Sequence, residues 1–435
     1  MHTDENATYY STTKKYHLAY PQLEQDLDAD VVIIGGGFSG IHTALELAER
    51  GIKKVVVLEA RYLGFGGTGR NGGQVVAGIG HDLKYIKKDV GEDGLNTIFE
   101  LSNLGPVIIR ERIEKYDIQA DFRSGYAYLG YNNRQDKTLK SWENLFKSVE
   151  CNKDFDIRFV SGAETKKIID SPMYSSALYH SGGGHLHSLN LLLGEAKACT
   201  ELYNVQIFEH SPAIDVEYGK KIKVRTAKGS ITAEKLVWAC DSFINRLEPE
   251  LHSKTINVFS YQMMTEPLNT EIIEQLSPIR GAYTDIRPIL NYFRFTNENR
   301  LLFGTSPKLL EYRPSNINDY LQKEMLDVFP QLKGTKIDLS WGGPMACTPH
   351  LFPEIGTLEK HPNAFFVQGY SGFGVAPSQI ICKVLAEGIT GNSKNFNLVS
   401  QVSRPDIPGK DKFRAALVSL GKVLKALEAY RDGRM

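Results

Sequence analysis

The sequence predicts a mixed α/β (α+β) fold in which a Rossmann-like dinucleotide-binding unit is combined with a second, mixed-sheet unit for substrate. Three observations carry that expectation. Residues 31–59 spell strand, glycine turn, helix, second strand and acid in register. Residues 365–388 repeat strand, glycine turn and helix towards the other end of the chain. Finally, 435 residues exceed one typical core, so two domains or one interleaved pair are expected.

The first unit is built from parts with separate jobs. Val31-Val32-Ile33-Ile34 is apolar on both faces, as a buried parallel strand requires. It runs into Gly35-Gly36-Gly37-Phe38-Ser39-Gly40, which satisfies GxGxxG. Ile41, Ala44, Leu45 and Ala48 then recur at helical spacing until Gly51. Val55-Val56-Val57-Leu58 is a second strand ending at Glu59, 19 residues after Gly40. Gly35 permits the tight turn, Gly37 lets a pyrophosphate approach the backbone, and Gly40 lets helix and strand pack closely. The helix start, at Phe38 and Ser39, offers unpaired N–H groups and partial positive charge to phosphate. Glu59 is placed to accept hydrogen bonds from ribose hydroxyls.

NAD and FAD share the ADP half that this motif reads, so the next segment discriminates. Glu59-Ala60-Arg61 leads into Gly64-Phe65-Gly66-Gly67-Thr68-Gly69-Arg70-Asn71-Gly72-Gly73-Gln74, with six glycines in eleven residues. Such a backbone can wrap a ligand closely, and Thr68, Arg70, Asn71 and Gln74 supply donors. A nicotinamide enzyme would continue into a regular βαβ unit; a loop here favours FAD.

Composition excludes other classes. Lys+Arg and Asp+Glu both total 51, so no basic excess exists to attract nucleic acid or an anionic membrane. The N-terminus lacks the charged start and apolar stretch of a secretory signal. No apolar run approaches the ~18 residues of a membrane helix. Cys151, Cys199, Cys240, Cys347 and Cys382 are scattered without a CxxC, as suits reduced thiols, so a soluble cytoplasmic protein is expected. His185 and His187 share a face if extended but lack a third ligand, so they read as structural and no metal is expected. No Ser/His/Asp or Cys/His arrangement suggests a nucleophile, and no catalytic side chain is assigned.

From Gly66-Gly67-Thr68-Gly69-Arg70-Asn71-Gly72-Gly73-Gln74 onward, the chain resembles the D-amino-acid oxidase/sarcosine oxidase family of FAD enzymes, and within it the bacterial γ-glutamylputrescine oxidases. Similar stretches include HSGGGHLHSLNLLLGEAKA at 180–198, NYFRFTNENRLLFG at 291–304 and QGYSGFGVAP at 368–377. The resemblance implies a glutathione-reductase/sarcosine-oxidase type fold with interleaved domains. Residues 1–84, 155–248 and 339–400 would form the FAD-binding domain, 85–154 and 249–338 the substrate domain, and 401–435 a helical tail. It further implies adenine against the backbone at Ala213, and flavin along the second glycine turn at Gly372, Phe373, Gly374 and Val375. Gly343 stands where sarcosine oxidases carry the flavin-linking cysteine, so non-covalent FAD is implied. Leu302 stands for their oxygen-activating lysine and Ala376 for a carboxylate-gripping lysine. Against the γ-glutamylputrescine oxidases, Phe373 replaces a histidine, Gly67-Thr68 replaces Ala-Ser and Ser188 replaces proline.

Four further expectations come from residue patterns. Ser188 reads as the N-cap of the helix that begins Leu189-Asn190-Leu191. Tyr261, Tyr292, Phe293, Trp341, Tyr370 and Phe373 are plausible aromatic walls of a substrate pocket. Arg287 or Arg294 could meet a carboxylate. Leu417, Leu420, Leu424 and Leu427 make an apolar face in the tail. The resemblance implies oxidation of an amine, with a small-molecule amine and molecular oxygen as partners and γ-glutamylputrescine, in polyamine breakdown, as the substrate. The alternatives are L-pipecolate or another N-substituted or cyclic amino acid, and an FAD dehydrogenase that avoids oxygen.

Overall fold

The computed structural model describes residues 7–79, 81, 83–244, 247–287, 290–305, 317–391 and 394–407. The apolar face at Leu417–Leu427 lies outside the described residues.

At the centre of the first sheet, Leu27–Ile34 pairs in parallel with Ser230–Trp238 on one side and Val55–Leu58 on the other. His361–Gln368 and Gln206–Phe208 extend the parallel order outward. Glu354–Leu358 closes one edge in antiparallel fashion, and Asp215–Glu217 and Ile222–Arg225 form a small antiparallel flap. Strand alternation splits the side chains between two cores. Val31, Ile33, Val55 and Val57 pack with the helices Phe38–Glu49, Ser188–Tyr203 and Pro377–Ile389. Val32, Ile34, Val56 and Leu58 pack with the flap and Trp238. Burial on both faces is why these strands read as unbroken apolar runs.

In the second sheet the order is Ile337–Cys347, Ile256–Thr265, Leu301–Thr305, Asn291–Phe295, Ala282–Asp285, Arg123–Gly130, Ser176–His185 and Gln74–Val75. Ile157–Ser161 also pairs with Ser176–His185. The segment 155–248 was expected wholly with the nucleotide-binding unit; its first two strands pair in the second sheet instead. Backbone pairing, not chain order, decides which body a segment joins. Behind this sheet Phe293, Phe295, Phe303 and Phe329 pack with the helix Ile317–Val328.

The helix Ser188–Tyr203 is capped one residue earlier than expected. His187 is the N-cap, its Nδ1 accepting from Asn190 N at 3.1 Å, whereas Ser188 Oγ donates to Asn71 Oδ1 at 2.6 Å. A ring nitrogen does the work of the usual hydroxyl, and the serine is released to hold the glycine-rich loop. Burial pushes the His187 imidazole down to about 3. Among the described residues, no helix is long and apolar enough to cross a membrane.

Candidate active site

The parallel strands of the first sheet end together, at Ile34, Leu58, Trp238 and Gln368. A cavity of about 690 Å³ opens at that edge and runs across to the second sheet, within the range of small-molecule and cofactor sites.

One end is made of backbone. Gly35 has φ +120°, and a Cβ there would stand 2.4 Å from Ala239 O. A Cβ at Gly40 would stand 1.8 Å from Gly35 O, so helix and turn meet as closely as the sequence implied. At Gly37 the space is open: a Cβ would meet only Thr68 Oγ1, at 3.2 Å. Thr68 Oγ1 accepts from Phe38 N at 3.0 Å and retains its own proton to donate. Glu59 is fixed by two amides, Gly36 N to Oε2 and Arg61 N to Oε1, each at 2.7 Å. Desolvation by the surrounding protein holds this carboxyl above the usual range, against the pull of those amides. Ala60, Arg61 and Ala213 line the cavity beside it. An open glycine cradle, a helix start and a fixed acid in one line fit a dinucleotide.

The carbonyls of the glycine-rich loop are taken up by protein side chains. Gly69 O accepts from Thr8 Oγ1 at 3.0 Å. Arg70 O accepts from Gln262 Nε2 at 2.6 Å and Trp341 Nε1 at 3.0 Å. Gly72 O accepts from Arg294 Nε at 2.8 Å. Arg70 and Asn71 line the cavity, but their side chains brace the loop. Arg70 donates to Phe65 O and Gly342 O at 3.0 and 3.2 Å. Asn71 donates to Gly67 O and Thr68 O and accepts from Gly73 N. Gln74 lines the cavity and donates to Tyr283 O at 2.9 Å. Gly40 and Gly73 lie off the lining; a Cβ at Gly73 (φ +68°) would press on Leu186 O and Tyr10 Oη.

At the second glycine turn, Gly369, Ser371 and Gly372 have φ of +80°, +54° and +97°, and Gly372, Phe373, Gly374 and Val375 line the cavity. Asp241, which sequence reasoning missed, ties this turn down. Its Oδ1 accepts from Gly369 N at 2.9 Å and its Oδ2 from Ala346 N at 3.2 Å. Ser39 Oγ donates to Tyr370 Oη at 3.1 Å, so the two glycine turns touch.

Of the expected substrate residues, Tyr292 and Tyr370 line the cavity and Tyr261, Arg294 and Trp341 do not. Tyr261 packs into the aromatic core. Arg294 is 2% exposed and, besides Gly72 O, donates to Tyr10 Oη at 3.2 Å. Trp341 holds Arg70 O from behind. The latter two stand on the same sheet face as the lining residues Tyr292 and Gln262, but each is spent on a carbonyl of the glycine-rich loop, Gly72 O and Arg70 O, and so supports the wall. Phe293 and Leu302 are fully buried off the lining. His81, Ser260, Gln262, Thr284, Leu290 and Met345 line this end and were missed. One signal existed: Ser260 and Gln262 are a period-two polar pair inside the otherwise apolar and aromatic run Val258–Met264.

Gly343 lines the cavity, while Cys347 lies off it. Among the described residues, no group of three or more His, Cys, Asp or Glu is arranged to hold a metal.

The family described as FAD dependent oxidoreductase (DAO) matches residues 30–388. The chain belongs to that family. It is therefore an FAD-dependent oxidoreductase, and the cavity is where its residues fit that cofactor. It is 32% identical over 430 residues to the gamma-glutamylputrescine oxidoreductase of Escherichia coli, covering 98% of each chain. It is 35% identical over 433 residues to a probable oxidoreductase, OrdL, of Haemophilus influenzae, covering 98% of this chain and 97% of the relative. Among solved structures, L-proline dehydrogenase from P. horikoshii superposes with a TM-score of 0.70 at 20% identity, over 85% of this chain and 95% of that one. Glycine oxidase from Bacillus cereus gives 0.68 at 20% identity, over 87% and 100%. These structural likenesses establish the shared fold, with its mixed α/β architecture.

Proposed function

We propose that the chain oxidises the carbon–nitrogen bond of an amine, with γ-glutamylputrescine as substrate and molecular oxygen as electron acceptor. The observation that carries the reading is the character of the cavity's far end. Val76, Leu290, Tyr292, Met345 and Phe373 give its wall an apolar part, beside His81, Ser260, Gln262 and Thr284. Among the described lining residues, the arginines, Arg61 and Arg70, belong to the nucleotide loop and its brace. Desolvation against such a wall disfavours an ammonium and admits the neutral amine. The E. coli relative's name supports the particular substrate.

Bound non-covalently, FAD supplies a two-electron oxidation in which a hydride leaves the amine carbon. The protein's share is to hold that carbon in place and keep water out. Water then hydrolyses the iminium to aldehyde and ammonia, and oxygen takes the two electrons with two protons to give hydrogen peroxide. We assign the ADP half to the Gly35–Gly40 turn, Glu59–Arg61 and Ala213, and the flavin to the space between the Thr68–Gln74 loop and Gly372–Val375.

An α-amino acid such as L-pipecolate would need a cation for its carboxylate. Arg287 is engaged by Asp285 at 2.9 Å, Arg294 lies behind the wall, and neither lines the cavity. The test is anaerobic mixing of the yellow protein with γ-glutamylputrescine and, separately, L-pipecolate. Bleaching by the former, with peroxide once air returns, is expected. Bleaching by pipecolate alone would transfer the enzyme to amino-acid oxidation, and bleaching without peroxide would make it a dehydrogenase.

A further inference from the structure

On the strand Ile256–Thr265, Ser260 and Gln262 face the cavity, while Tyr261 and Met263 face the aromatic core behind it. Gln262 is 3% exposed. Its Nε2 donates to Arg70 O at 2.6 Å. A carbonyl oxygen only accepts, so this bond fixes which way the amide points, with nitrogen towards Arg70 and Oε1 turned from it. Oε1 has no hydrogen bond within the protein. The Tyr292 hydroxyl stands within hydrogen-bonding reach of the amide and is paired with Ser260 Oγ at 2.9 Å. A buried acceptor left unmet is destabilising. Gln262 forms part of the cavity wall, so a donor that relieves this cost arrives with whatever occupies the cavity.

We propose that Gln262 Oε1 accepts an N–H of the substrate amine, with the Tyr292–Ser260 hydroxyl pair beside it, and so selects amines whose oxidised carbon carries no carboxylate. The assignment rests on the amine-oxidation reading. An amine presents N–H donors to this wall. A carboxylate presents only acceptors and would face the Gln262 amide oxygen, while the lining arginine of the adjoining loop, Arg70, donates to Phe65 O and Gly342 O. The flavin and its ribityl chain also carry N–H and O–H donors, so the two sources must be separated. Gln262 stands on the second sheet beside Thr284 and Tyr292, and its amide nitrogen is bonded to Arg70 O of the loop that fits the flavin, so FAD content and affinity are the readouts that separate the two sources.

Gln262→Met removes the acceptor and also one of two hydrogen bonds to Arg70 O. Trp341→Phe removes the other bond to that oxygen and leaves the acceptor, so it isolates the loss of bracing. Both holoenzymes are titrated anaerobically with γ-glutamylputrescine and with L-pipecolate, following flavin reduction, and their FAD content and FAD dissociation constant are measured. Gln262→Met should retain FAD, raise the half-saturating amine concentration about tenfold, and cut the preference for the amine over pipecolate by a similar factor. Trp341→Phe should leave that preference where it is in the wild type. Identical behaviour of the two variants would reduce Gln262 to a brace and overturn the assignment. So would loss of FAD affinity in Gln262→Met with unchanged amine saturation after reconstitution, since the cofactor would then be the donor. Wild-type flavin that stays oxidised with the amine overturns the amine reading and this assignment together; normal wild-type bleaching with an unaltered Gln262→Met overturns the assignment alone.

Discussion

The two ends of the cavity are made of different material. The nucleotide end is backbone: Gly35, Gly37 and Gly40 shape it by what they lack, and Glu59 is the principal side chain aimed along it. The substrate end is side chain, with Ser260 and Gln262 reaching in from one strand and Thr284 and Tyr292 standing directly opposite each other on two more. A site made of backbone tolerates almost no change at its glycines and little variation in ligand. One made of side chains on a fixed sheet can be retuned residue by residue without disturbing the fold.

Substitutions can break or sharpen that contrast. The largest effect should come from Gly35→Ala, which combines a strained φ of +120° with a Cβ 2.4 Å from Ala239 O. A loss of stability on the order of 3 kcal/mol and an almost colourless protein are expected, read by thermal unfolding and flavin absorbance. Retained flavin would show that the turn can move, and the contrast would fail.

Arg294→Leu comes next. It strips donors from Gly72 O and Tyr10 Oη behind the loop, and about 2 kcal/mol of stability should go, with weaker FAD retention. If amine saturation alone changed, Arg294 would belong to the substrate end after all.

Glu59→Gln should weaken FAD binding by about 1 kcal/mol, or several-fold. Its pH dependence sharpens the point. Because desolvation raises the Glu59 carboxyl above the ordinary value, it protonates earlier than a free glutamate as pH falls. FAD affinity in the wild type should therefore drop on acidification while Glu59→Gln stays flat, as fluorescence titration across pH would show. The apoprotein carries the opposite sign. A raised folded pKa contributes stability that is complete below the unfolded value and is lost as pH rises through the folded one.

Tyr292→Phe should produce the smallest effect. It loses one hydroxyl contact to Ser260 and should shift amine half-saturation a few-fold at unchanged FAD content.

The same contrast explains what the sequence disclosed. Steric rules for a tight turn act locally, so Gly35 to Gly40 and Glu59 were legible as a row of neighbours. The second glycine turn was legible for the same reason, and the helix after it, expected over 378–388, runs Pro377–Ile389. Asp241 was hidden because its partners, Ala346 and Gly369, are distant in sequence and it binds them through amides that leave no residue signature. Tyr261 was misplaced because an aromatic residue suits a core and a pocket wall equally and only the pleat decides which it faces, whereas Trp341 shares the face of Gln262 but is spent on Arg70 O. Ser188 was misassigned because His187 offers the same acceptor one position earlier.

The order of the parallel strands has a consequence for how the protein is made. Leu27–Ile34 finds one neighbour at Val55–Leu58 but the other at Ser230–Trp238, which in turn waits for His361–Gln368. Pairings of such long sequence separation are slow to close. On the ribosome, the first glycine turn emerges hundreds of residues before the strand and turn that complete the far side of the same cavity. Cofactor capture is thus an event of the nearly finished chain, and the supply of free FAD at release should govern how much of the protein matures.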